Sequence, residues 1–112
     1  LATTTKPDDK LRITNQYRDK DRGGAIAYEL RCGEARIVLR ASQSAVENSN
    51  EWRFEAHTFH APELVVIGDW QSSRTEALRA VGTLWSSKAP ALGLPMFDWT
   101  AVATALTAVR AL

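Results

Sequence analysis

Hydrophobic and polar residues alternate along the first half of this chain and recur at helical spacing along the second. From residue 11, the apolar Leu11, Ile13 and Tyr17 alternate with Arg12, Thr14, Gln16 and Arg18, with Asn15 interrupting. A period of two is that of a half-buried strand. Asp19 to Gly24 reads as a turn, with two glycines available for positive φ. Alternation then resumes twice, through Ile26, Tyr28, Leu30 and Cys32, and through Ala35, Ile37, Leu39 and Ala41. Gly33-Glu34 between them suits a two-residue hairpin turn of type II′. Pairing Cys32 with Ala35 sets Leu30 opposite Ile37, Tyr28 opposite Leu39 and Ile26 opposite Ala41. Every inward pair is then apolar, and a slip of one residue destroys the match.

A polar loop over residues 42–51, long for a hairpin, leads to a fourth strand. Its Trp52, Phe54 and Ala56 point one way, and Arg53, Glu55 and His57 the other. Pro62 breaks the pattern, and the β-branched run Leu64 to Ile67 predicts a fifth strand. Ser73-Arg74-Thr75-Glu76 is a capping box, followed by Leu78, Val81 and Trp85 at helical spacing with Gly82 inside the helix. Pro90, Gly93 and Pro95 are expected in the connecting loop. Asp98 caps a second helix, with Phe97 and Val102 as a staple and Trp99, Val102, Leu106 and Val109 as its core stripe. No capping residue stops that helix before Leu112. Its few charges imply burial or a covering partner.

The predicted fold is α+β: an antiparallel four- or five-stranded β-meander followed by two C-terminal helices packed on one face of the sheet. Residues 1–9, polar and holding Pro7, read as a flexible tail, and 10–112 as one domain. A chain of 112 residues fits a single domain, and 45% hydrophobic with 24% charged residues is ordinary globular composition. One cysteine excludes an internal disulfide framework and points to a reducing, cytoplasmic setting. No apolar run approaches the ~20 residues of a membrane span, so no membrane partner is expected.

Fourteen Lys and Arg against thirteen Asp and Glu leave a net charge of +1, so any charge recognition must come from clustering. Helices cover only one side of such a sheet, and alternation assigns Arg12, Arg18, Arg31, Arg36, Arg40, Arg53 and His57 to the other. Glu29 and Glu55 alone oppose these six arginines. Guanidinium forks bind phosphate and carboxylate bidentately, so Arg12, Arg31, Arg36, Arg40 and Arg53 form a candidate anion or nucleic-acid face. A solvated face with no ligand is the alternative.

An even number of residues between strands four and five would place Phe59, Leu64, Val66 and Trp70 on that same face, beside Arg53 and His57. An odd number would send them to the core. Apolar and aromatic side chains bordered by arginines compose a partner-binding hot spot. His57 and His60, with Glu63 and Asp69 near, are the only metal candidates, but three apart on a strand they face opposite ways. No nucleophile elbow, phosphate loop or dinucleotide fingerprint occurs, and no cofactor is indicated. The expected function is non-enzymatic binding of a protein partner or self-association, with nucleic-acid binding second and a small metal-dependent enzyme third.

Overall fold

The structure, a computed structural model, describes residues 10–112; the expected tail at residues 1–9 lies outside the described residues. Each run of alternation is a strand. β1 (Arg12–Asp19), β2 (Ala25–Cys32), β3 (Ala35–Gln43), β4 (Trp52–Thr58) and the two-residue β5 (Val66–Ile67) form one antiparallel sheet in the order β1-β2-β3-β4-β5. The helices α1 (Arg74–Leu92) and α2 (Trp99–Ala108) follow, both packed on the same face. The domain is therefore α+β, a meander covered on one side. Among the described residues no helix is long and apolar enough to cross a membrane.

The β2–β3 register agrees with the reading of the sequence: Cys32 opposes Ala35, Leu30 opposes Ile37, Tyr28 opposes Leu39 and Ile26 opposes Ala41. Gly33 takes φ 61°, as the first central position of a type II′ turn requires. Tyr28, Leu30, Ile37, Leu39, Phe54 and Ala56 are buried on the inward face with Leu78, Val81 and Trp85 of α1 and Val102 and Leu106 of α2. The loop after β3 is tied to itself: Ser44 N–H donates to the Glu51 carbonyl at 2.8 Å, and Asn48 turns the chain at φ 64°. Asparagine tolerates that left-handed conformation better than most residues.

The helix starts follow local chemistry, with one difference. Ser73 Oγ accepts from Glu76 N–H at 3.2 Å, and Asp98 Oδ1 from Thr100 and Ala101 N–H at 3.0 and 3.2 Å. The reciprocal half of the capping box is replaced, because the Glu76 carboxylate accepts from Arg79 at 3.1 Å. The helix ends depart further from expectation. Pro90 lies inside α1 rather than in the loop. A proline in the last turn forfeits one bond, to the Ser86 carbonyl, and the helix closes beyond it. Gly93 at φ 68° and Leu94 N–H donating to the Ala89 carbonyl at 2.9 Å make that stop.

The second helix ends the same way without glycine. Arg110 adopts φ 58°, its N–H donates to Thr107 and that of Ala111 to Leu106, a Schellman motif. Val109 falls past the last turn and is exposed, so it is not part of the core stripe. The uncharged outer side of α2 is made of threonines. Thr104 and Thr107 hydroxyls donate back to the carbonyls of Thr100 and Ala103, which satisfies them locally.

Two glycines set the packing distances. A Cβ on Gly68 would sit 3.1 Å from the Val81 backbone nitrogen, so α1 comes directly against the chain after β5. A Cβ on Gly82 would sit 2.9 Å from Cγ of Trp99, whose ring joins Trp85 and Phe97 in an aromatic cluster with centroids 6.0–6.5 Å apart. Trp85 also donates its indole N–H to the Pro95 carbonyl at 2.8 Å, which pins the connection between the helices.

The packing decides the sign of one substitution. Gly82→Ala gains about 1 kcal/mol of helix propensity but overpacks against Trp99, at a cost of about 1–3 kcal/mol. Chemical denaturation should show Gly82→Ala as the less stable protein and Gly82→Ser as less stable again. A gain in stability would mean that Trp99 yields its place freely.

Candidate interaction face

The side chains that alternate with the core occupy a sheet face that carries no helix, arranged in rows across the strands. Arg12, Arg31 and Arg36 are cross-strand neighbours in one row. Phe59 continues it, its N–H donating to the Arg36 carbonyl at 3.4 Å. Tyr17, Ala27, Arg40, Glu55 and Ile67 form a second row across all five strands.

Two irregularities decide which residues reach this face. The β1–β2 register shifts between Ile13 and Asn15, so beyond that bulge the alternation of β1 reverses. Tyr17, expected inside, opposes Ala27 on the open face, and Arg18, expected there, opposes Ile26 on the helix side. Arg18 instead donates to the Gly24 carbonyl at 3.0 Å. The second irregularity comes after β5. Gly68 N–H donates to the Phe54 carbonyl, yet Gln71 pairs with Trp52, so three residues on one side span two on the other. The extra residue places Trp70 over Arg53, with the guanidinium carbon 4.5 Å from the ring centroid.

The expected quartet of Phe59, Leu64, Val66 and Trp70 is therefore corrected. Seven residues, 59–65, separate β4 from β5, an odd number, and Val66 opposes Ala56 in the core at 2% exposure. Leu64 is half-buried against that core. Phe59 and Trp70 do lie on the open face, and Ile67, 46% exposed, takes the place expected for Val66. Tyr17 and Ile67 are the members that alternation missed. The only signal for Tyr17 was Asn15, which breaks the pattern where the bulge forms.

The arginines divide by role. Arg40 is bound within the protein: its Nε donates to Asp19 Oδ2 at 2.9 Å, and one NH group lies 2.6 Å from His57 Nε2. Arginine can only donate, so Nε2 accepts and the ring donates from Nδ1 to the Thr58 carbonyl at 3.0 Å. The side chains of Arg40 and Asp19 are only 12% and 14% exposed. Beside them, burial and then the Glu29 carboxylate raise the Tyr17 phenol above its ordinary range. Arg53 pairs loosely with Glu55 at 3.9 Å and stacks on Trp70, while its buried Nε has no hydrogen-bond partner.

Arg12, Arg31 and Arg36 are different. Arg31 Nε donates to the Gly33 carbonyl at 2.9 Å, and Arg36 stacks on Phe59 at 4.2 Å. Among the described residues no carboxylate pairs with any of the three.

His57 and His60 are not brought together. His57 is buried beneath Arg40 on the open face, and His60 is exposed in a hollow with Leu94 and Pro95 at the end of α1. Among the described residues no group of three or more His, Cys, Asp or Glu could hold a metal. A groove of about 520 Å³ lies between the helices over Gly82 and Trp99, and among the described residues Arg79 is the one ionisable side chain lining it.

The division of roles has a measurable consequence. Arg40→Ala strands the Asp19 carboxylate and the His57 ring nitrogen, and should cost about 3 kcal/mol in denaturant titration. Arg12→Gln, at an exposed position, should change stability by less than about 0.5 kcal/mol. Equal effects would refute the division. Comparison of the chain with protein-family profiles, curated proteins and solved structures found no match.

Proposed function

We propose that this domain is a non-enzymatic protein-binding module that works through the open face of its sheet. One observation carries the reading. Phe59, Ile67 and Trp70, from 36% to 46% exposed, share an uncovered face with Arg36 and Arg53 stacked on two of the rings. Aromatic residues and arginine are the types enriched where proteins bind one another, and large apolar side chains grouped on a surface favour a partner. The stacked guanidiniums hold the rings in place, which lowers the ordering cost of association.

Nucleic-acid binding is the second reading, favoured by one finding: Tyr17, Phe59 and Trp70 turn outward, as base stacking needs. Against it, Asp19, Glu29 and Glu55 share the face, one side of two rings is already occupied by arginine, and aliphatic Ile67 offers no stacking surface.

The test compares two positions on opposite sides of the domain. A photocrosslinking side chain at Ile67 should give a discrete protein adduct in cells, and the same group at the exposed Thr83 on α1 should not. Light scattering of the purified chain then identifies whether the partner is a second copy. Adducts at Thr83 as abundant as at Ile67, or adducts to nucleic acid, would overturn the reading.

A further inference from the structure

We infer that the partner bound by the open face carries a run of carboxylates that seats on the row Arg12, Arg31 and Arg36, next to an apolar stretch that meets Phe59 and Ile67. The inference rests on the protein-binding reading and names the chemistry of the partner. Three arginines stand in register on three adjacent strands, with Arg12 opposite Arg31 and Arg31 opposite Arg36. Directly opposed side chains have Cβ atoms about 5 Å apart, and like charges so placed repel. Elsewhere on the face arginine meets acid: Arg40 binds Asp19 and Arg53 leans toward Glu55. In this row no ion pair forms among the described residues, with Glu29 two residues along β2 on the same face, and an external anion would relieve the repulsion.

Two of the forks are tethered at different points. Arg31 is anchored to the Gly33 carbonyl at the hairpin turn, and Arg36 leans toward β4 over Phe59. Arg12 stands on the edge strand β1 and is exposed. A single phosphate is best chelated by donors that close on one point, whereas arginines set along a row of strands suit several carboxylates in succession. Phe59 ends the row, so an acidic segment laid across β1, β2 and β3 passes onto Phe59, and Ile67 lies further along the face, opposite Glu55 and beyond the buried Val38 and His57. With a net charge of only +1, the protein has no general positive field to attract polyanions, and recognition depends on this local row.

The experiment titrates the whole chain by fluorescence anisotropy against a labelled hexaglutamate peptide ending in leucine and phenylalanine. The same peptide with glutamine throughout and a single-stranded oligouridylate serve as comparisons, at about 0.05 M and about 0.5 M NaCl. The glutamate peptide should bind at least roughly tenfold more tightly than the glutamine peptide at low salt, and the advantage should shrink at high salt. Arg12→Gln/Arg31→Gln/Arg36→Gln should abolish the advantage while circular dichroism shows the fold intact. Should the triple variant misfold, single Arg12→Gln and Arg36→Gln proteins should each lose part of it. Ile67→Ser should weaken both peptides alike. Equal binding of the two peptides, lost in Ile67→Ser, would overturn the acidic partner and leave the protein-binding face standing. Binding of neither peptide, or tighter binding of oligouridylate through the same arginines, would also overturn it.

Discussion

Leu30 set against Ile37 and Tyr28 against Leu39 determine the side on which every residue of β2 and β3 falls. Because side chains alternate, one hairpin register assigns the inward face to apolar residues and the outward face to Glu29, Arg31, Arg36 and Arg40. The helices can then pack on one side only, and their approach is set by contact distances at Gly68 and Gly82. The open face is thus a consequence of the core. Once the apolar pairs are buried, the residues between them have no layer to cover them.

A face left open in this way must manage its own charges. Near its middle it does so internally, since Arg40 binds Asp19 and His57 with little exposure, and Ala27 and Val38 are buried without any helix above them. A half-buried ion pair stabilises little by itself, but loss of either partner is costly. At one end the arrangement is the reverse. Three arginines in register have no acid among the described residues, and two of them are positioned by a carbonyl and an aromatic ring. Stability alone does not call for that row. The contrast between a compensated centre and an uncompensated end is the reason for reading the face as functional.

Tyr17, Ile67 and Trp70 owe their places on the face to irregularities of the chain, whereas Phe59 follows the alternation of β4. A bulge in β1 turns Tyr17 outward, and an extra residue after Gly68 brings Trp70 over Arg53. Bulges increase local twist and redirect side chains, and the one in β1 puts Tyr17 where strict alternation predicted Arg18. The seven-residue connection before β5 has the same effect on a larger scale, since its odd length sends Val66 inward and Ile67 outward.

Local chemistry in the sequence was enough to determine the strands, the hairpin turn at Gly33-Glu34, the Ser73 and Asp98 caps, and an arginine-rich open face. These depend on period-two alternation, turn preferences and hydrogen bonds that reach three or four residues along the chain. Tertiary structure alone decided the continuation of α1 through Pro90, the Schellman stop at Arg110, the exposure of Val109, and the exchange of Tyr17 for Arg18 and of Ile67 for Val66. The physical reason for the two exchanges is parity. Alternation is legible only while the chain stays in register, and one inserted residue at Thr14 or after Gly68 moves each later side chain of that strand to the opposite face. Whether an insertion is absorbed as a bulge depends on the neighbouring strand, which local sequence does not specify.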